Sequence, residues 1–64
     1  MAIYFVNRIA QANGKHEIHK SRCKRMPDEK NKIRLGDFYT SFAALRVAKK
    51  IYGKVNGCYY CCNE

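Results

Sequence analysis

Four cysteines and two histidines carry most of the chemistry this chain can offer. Three thiols crowd into Gly57-Cys58-Tyr59-Tyr60-Cys61-Cys62, and the fourth, Cys23, lies four positions after His19. His19-x3-Cys23 and Cys58-x2-Cys61 read as two halves of one tetrahedral Zn²⁺ site. Zn²⁺ takes four nitrogen or sulfur donors, often as two short-range pairs from distant parts of a chain. At C-x2-C spacing a tight turn can aim both thiolates at one ion, and Asn56-Gly57 eases the bend before it. The x3 spacing of the other pair suits a strand that ends and turns back. Six side chains (His16, His19, Cys23, Cys58, Cys61 and Cys62) compete for four places. His16 is open as a replacement for His19, and Cys62 for Cys61. The plainer roles are a strand histidine facing sheet or solvent for His16, and a small buried apolar residue or a neighbouring thiol for Cys62.

Disulfides are the rival use of four cysteines. The N-terminal run Ala2-Ile3-Tyr4-Phe5-Val6 has no basic segment before it and is too short for the apolar region of a secretion signal. A reducing, cytoplasmic setting is therefore expected, where structural disulfides are rare. Cys61 and Cys62 are adjacent, and a bridge between neighbours is strained. With 64 residues the chain forms one domain, residues 1–64, whose small core gains from a metal or another staple. No apolar run is long enough to span a membrane.

The elements that position these ligands follow from the pattern around them. Ala2 to Val6 is β-branched and aromatic without clean alternation, as in a central strand covered on both faces. Asn13-Gly14 marks a turn, and Lys15 to Lys20 returns as a second strand. On that strand His16 and Ile18 point one way and Glu17 and His19 the other, so both histidines share a metal only if the strand bulges or ends early. Ser21 to Lys32 reads as a charged surface loop with a short helical turn around Cys23. Ile33 to Phe38 fits a third strand with a bulge at Gly36. Thr40 or Ser41 caps a helix over Phe42 to Tyr52, with Ala44, Leu45, Val47, Ala48, Ile51 and Tyr52 on its apolar side and Arg46, Lys49 and Lys50 opposite. Gly53 stops it. The expected fold is α+β: a small three-stranded antiparallel sheet packed against one helix and closed by a Cys/His metal clip.

His19-x3-Cys23, a strand, a Ser/Thr-capped helix and Cys58-x2-Cys61 together resemble the N-terminal metal-binding module of Ada-type DNA-repair proteins, over roughly residues 19 to 62. That family carries Cys-x3-Cys followed by Cys-x2-Cys, all four binding zinc. The resemblance implies zinc ligands at Cys23, Cys58 and Cys61, with His19 in the place of the first cysteine. In the repair proteins that first cysteine accepts a methyl group from a DNA phosphotriester. An imidazole there still binds zinc but removes the acceptor thiolate, so the resemblance implies the fold and the metal without the methyl transfer.

No Gly-rich phosphate loop is present, and no serine–histidine–carboxylate arrangement is apparent. Four protein ligands would also leave no open position on a zinc for catalytic water. The expectation is a non-enzymatic module with no small-molecule substrate evident. Its formal charge of +8 favours acidic partners such as DNA or RNA. Lys20, Arg22, Lys24 and Arg25 beside the metal clip, and Arg46, Lys49 and Lys50 on the helix, are placed to contact phosphates. Tyr59 and Tyr60 are candidates to stack on bases or to cover the metal. The other class of function is a protein partner or self-association through the sheet face opposite the helix, which one helix cannot cover.

Overall fold

The computed structural model of the protein describes residues 1–62, so the last two positions of the expected 1–64 domain lie outside the described residues. Strands β1 (Ala2–Asn7), β2 (His16–Lys20), β3 (Lys32–Phe38) and β4 (Val55–Gly57) form one sheet in the order β3-β1-β2-β4. Helix α1 (Ser41–Tyr52) packs on one face. The apolar, non-alternating β1 is central, pairing antiparallel with β2 and with β3.

The sheet departs from the expected three antiparallel strands. Val55–Gly57 adds a fourth that runs parallel to β2, with His16 opposite Val55 and Ile18 opposite Gly57. A parallel neighbour requires a crossover connection, and here β3 and α1 together supply it. Three residues show no periodicity of their own, which is why this strand is invisible in the sequence. Its consequence is direct: it delivers Cys58 to the end of β2, where the Cys58 amide donates to the Ile18 carbonyl at 3.0 Å.

The core is narrow. Tyr4, Val6 and Ile18 from the sheet meet Ala44 and Ala48 of α1, with Ala2, Ile33, Leu35, Phe38, Leu45, Tyr52, Val55 and Cys62 packed around them. The two alanines let the helix lie close to the strands. The buried seam runs Ser41-Ala44-Ala48 and on to the half-buried Tyr52, and this spacing drifts away from Ile51. Ile51 is accordingly exposed, not part of the apolar face. Thr40 is the N-cap, its hydroxyl accepting from the Ala43 amide at 3.3 Å, and Gly53 closes the helix by donating to the Lys49 carbonyl.

β3 keeps its apolar side chains on the helix side only through a bulge. Ile33 and Leu35 share a face by alternation, whereas Phe38 is one residue out of phase with them. Tyr4 pairs with Gly36 and Phe5 with Arg34, so Leu35 is the extra residue that corrects the phase. Gly36 takes φ +132, which only glycine adopts readily.

The opposite face of the sheet carries Ile3, Phe5 and Asn7 from β1. The Lys32 ammonium lies 4.7 Å from the Phe5 ring centroid, and Arg34 pairs with Asp37 at 3.3 Å. The face that would have been a bare apolar interface therefore has long charged side chains over it. The segment around Cys23 forms turns, not the expected helical turn; the short 3₁₀ helix lies later, at Glu29–Asn31. No helix among the described residues is long and apolar enough to cross a membrane.

Candidate metal centre

Alternation along β2 sorts the two histidines. His16 and Ile18 face α1, and the His16 ring stacks on Tyr52 with centroids 3.7 Å apart and planes 6° apart. Its Nδ1 donates to the Asn7 carbonyl at 2.8 Å. His16 is thus a packing residue, and β2 continues without a bulge through His19. His19 points to the other face, beside its strand partner Phe5, and is buried.

The chain then turns sharply. The Cys23 amide donates to the Lys20 carbonyl at 3.1 Å, with Arg22 at φ 73 in the third position of the turn. This left-handed residue folds Cys23 back over His19. From the other end, Cys58-Tyr59-Tyr60-Cys61 makes one turn closed by the Cys62 amide on the Cys58 carbonyl at 2.8 Å. Gly57 permits that closure, since a Cβ there would stand 3.0 Å from the Cys62 Cβ and 3.3 Å from its carbonyl oxygen.

The ligand atoms of His19, Cys23, Cys58 and Cys61 all lie within 4.8 Å of one another. Cys23 Sγ is 3.5 Å from His19 Nδ1 and 3.8 Å from Cys58 Sγ, and Cys61 Sγ is 4.0 Å from His19 Nδ1. A tetrahedral ion with Zn–S near 2.3 Å and Zn–N near 2.0 Å needs S···S edges of about 3.8 Å and S···N edges of about 3.5 Å. Two of these three separations match and the third is within about 0.5 Å of the need. The cluster can hold a metal ion. All four residues singled out from the spacing are brought together, and neither His16 nor Cys62 is among them.

Cys62 sits just outside. Its Sγ is 3.6 Å from Cys61 Sγ and donates toward the Ile18 carbonyl at 3.6 Å, while its side chain packs against the core. Backbone amides are aimed at two of the cluster sulfurs: Arg25 N–H donates to Cys23 at 3.4 Å and Lys20 N–H to Cys61 at 3.3 Å. Such bonds favour thiolate. Burial works against them, pushing Cys23, Cys62 and Cys61 up, the last to about 11. Burial likewise lowers the His19 pKa, opposed by the charge of Glu17. In the absence of a cation the site therefore favours neutral groups. A bound divalent ion reverses that balance, because it replaces the protons on its ligands.

Glu17 is the site residue that the spacing argument missed. It shares the His19 face of β2, and its carboxylate lies 3.4 Å from His19 Nε2, the nitrogen turned away from the thiols. Gln11 Nε2 donates to the same carboxylate at 3.1 Å. The i, i+2 spacing on a strand was the signal available. A carboxylate on the remote nitrogen fixes the imidazole's orientation and raises its basicity as a ligand. Glu17→Gln is expected to weaken metal binding roughly 10- to 100-fold while the protein stays folded. Competition against a chromophoric chelator measures this; unchanged affinity would reduce Glu17 to a bystander.

The basic residues fall into two groups. Arg22, Lys24 and Arg25 are exposed and follow β2, with Lys20 half-buried at its end. Arg46, Lys49 and Lys50 are exposed on α1, whose last turn abuts His16 at the start of that strand. The two groups stand toward opposite ends of β2 and do not merge. Between the first group and the metal cluster a cleft of about 470 Å³ opens, lined by Arg22, Cys23, Lys24, Arg25, Tyr60 and Cys61. No family model, curated protein or solved structure matches this chain.

Proposed function

We propose that the protein is a non-enzymatic module organised by one Zn²⁺, bound by His19, Cys23, Cys58 and Cys61, and that its basic surface binds nucleic acid. The observation that carries the metal half is the gathering of four donor atoms within 4.8 Å of one another, with the Cys23–His19 and Cys23–Cys58 separations at tetrahedral values. Sulfur and imidazole donors favour Zn²⁺ over the hard cations that prefer oxygen. Four protein donors complete the coordination shell, as in structural sites, and leave no position for a reacting water. The resemblance to the Ada-type modules points the same way. His19, where that family has its acceptor cysteine, argues against methyl transfer.

Nucleic acid is the partner best suited to a chain of +8 with exposed arginines and lysines next to exposed tyrosines. Self-association through the sheet face has less behind it, because Lys32 lies over Phe5 and the Arg34–Asp37 ion pair shares that face.

Each half has its own test. Elemental mass spectrometry of protein purified without chelator should find one zinc per chain; a chain with none, or with a different metal, defeats the first half. Titration of labelled mixed-sequence oligonucleotides at two salt concentrations should show affinity that falls as salt rises. Absence of binding at low salt would end the second half and leave the first intact.

A further inference from the structure

The cleft beside the metal cluster combines a stacking surface with clustered cations, and none of its lining residues lies in a strand. The Arg25 guanidinium lies 4.3 Å from the centroid of the Tyr60 ring. Tyr59 meets that ring edge-on, with centroids 5.4 Å apart and planes at 87°. Tyr60 is nonetheless 66% exposed, so an exposed aromatic surface remains. Arg22 and Lys24 flank the same cleft.

We infer that this cleft is a nucleotide subsite for single-stranded nucleic acid. One unpaired base stacks on the exposed surface of Tyr60, and the adjoining phosphates lie against Arg22, Lys24 and Arg25. The inference rests on the nucleic-acid reading above and gives it a location and a strand class. A base can stack on a protein ring only when it has left its partner, which favours single strands over duplex. A guanidinium stacked on an aromatic face keeps its N–H edge available for phosphate. The cleft volume is that of a site for one small unit, not for a groove. In the turn that carries Lys49 and Lys50, the aromatic residue, Tyr52, is already engaged by His16. The metal cluster has a part in this as well. Cys23 and Cys61 come from segments far apart in sequence, and holding them at one centre holds the Arg22–Arg25 turn against Tyr60 before any ligand arrives.

The experiment uses the full zinc-loaded chain and fluorescence anisotropy with a fluorescein-labelled, mixed-sequence DNA 12-mer, alone and annealed to its complement. The single strand should bind more tightly. Tyr60→Ala should weaken that binding roughly tenfold or more, while Tyr60→Phe, which keeps the stacking face, should match the parent. The pair Arg22→Ala with Lys24→Ala should flatten the slope of log K against log salt by about 1.4, two phosphates at ~0.7 each. Zinc stoichiometry of every variant confirms that none has lost its fold. Duplex bound as tightly as single strand would overturn the inference, and so would a Tyr60→Ala variant with parental affinity. If the triple change Arg46→Ala, Lys49→Ala, Lys50→Ala removed binding that the cleft variants leave intact, the nucleic-acid reading would stand and this location would fall. Equal affinity for poly-glutamate would mark the cleft as a surface for acidic protein and overturn it. A parent that binds neither DNA would end both.

Discussion

Removing the metal is expected to unfold the protein. A domain of this length has a net stability of roughly 3–10 kcal/mol, and among the described residues only Tyr4, Val6, Ile18, Ala44 and Ala48 form the fully buried hydrophobic cluster. Two of those five are alanines, so the apolar contribution sits at the low end. A structural zinc contributes on the order of 10 kcal/mol or more in small modules. The contribution at stake is comparable to the whole. Cys58→Ser should have the same effect as a chelator, because Cys58 is both a donor in the cluster and a buried residue at the end of β4. Cys62→Ser is the control: it lies outside the four-donor group and should leave one metal per chain and a folded protein. Far-UV circular dichroism with amide chemical-shift dispersion reports the outcome. A chelated sample that kept its dispersion and its melting temperature would show the sheet and helix to be self-sufficient, and would remove the metal from the account of stability.

The second large effect is on pH. Burial holds Cys23 above its ordinary value and Cys61 at about 11, so both carry protons near neutrality. A divalent ion must displace those protons to bind. Below the thiol pKa values, apparent metal affinity should therefore rise at least 100-fold per pH unit, one factor of ten for each proton released. His19 adds nothing to this slope near neutrality, because burial lowers its pKa and its ring is already neutral there. It joins only in acid. The part of the folding free energy that does not involve the metal has its own pH dependence. For His19, whose folded pKa is depressed, the stabilising contribution is present above its unfolded value near 6.5 and fades as pH falls through the folded one. For Cys23 and Cys61, whose folded values are raised, the contribution is present below their unfolded values and fades as pH rises toward about 11. Zinc competition titrations across pH 6 to 8 test the coupling; an affinity that did not change with pH would mean that these thiols are already ionised in the metal-free protein.

The four candidate ligands were legible because their spacing is local: a strand end with x3, and a turn with x2, each constrain two donors regardless of the rest of the fold. Alternation along β2 likewise separated His16 from His19 before any tertiary contact was known. Helix α1 was legible from its capping Thr40, its apolar seam and Gly53. The sheet was legible only in part. β1, β2 and β3 show themselves through composition, whereas β4 has three residues and owes its existence to pairing with β2. Ile51 was misplaced because an ideal angular projection ignores which neighbours a helix end actually meets. The turn around Cys23 was misjudged for a related reason: Arg22 takes a left-handed conformation that its residue type does not announce.

By itself the sequence determined which side chains can serve as donors, which face of β2 each histidine occupies, and where the helix starts and stops. These depend on residue type and short-range periodicity. Only the tertiary structure decided that the two halves of the cluster meet, that Cys62 stays outside, and that Arg25 lies over Tyr60. Each of those pairs distant segments or chooses among nearby rivals, and the choice is made by the parallel β2–β4 pairing and the close approach at Gly57, neither of which leaves a periodic trace in the chain.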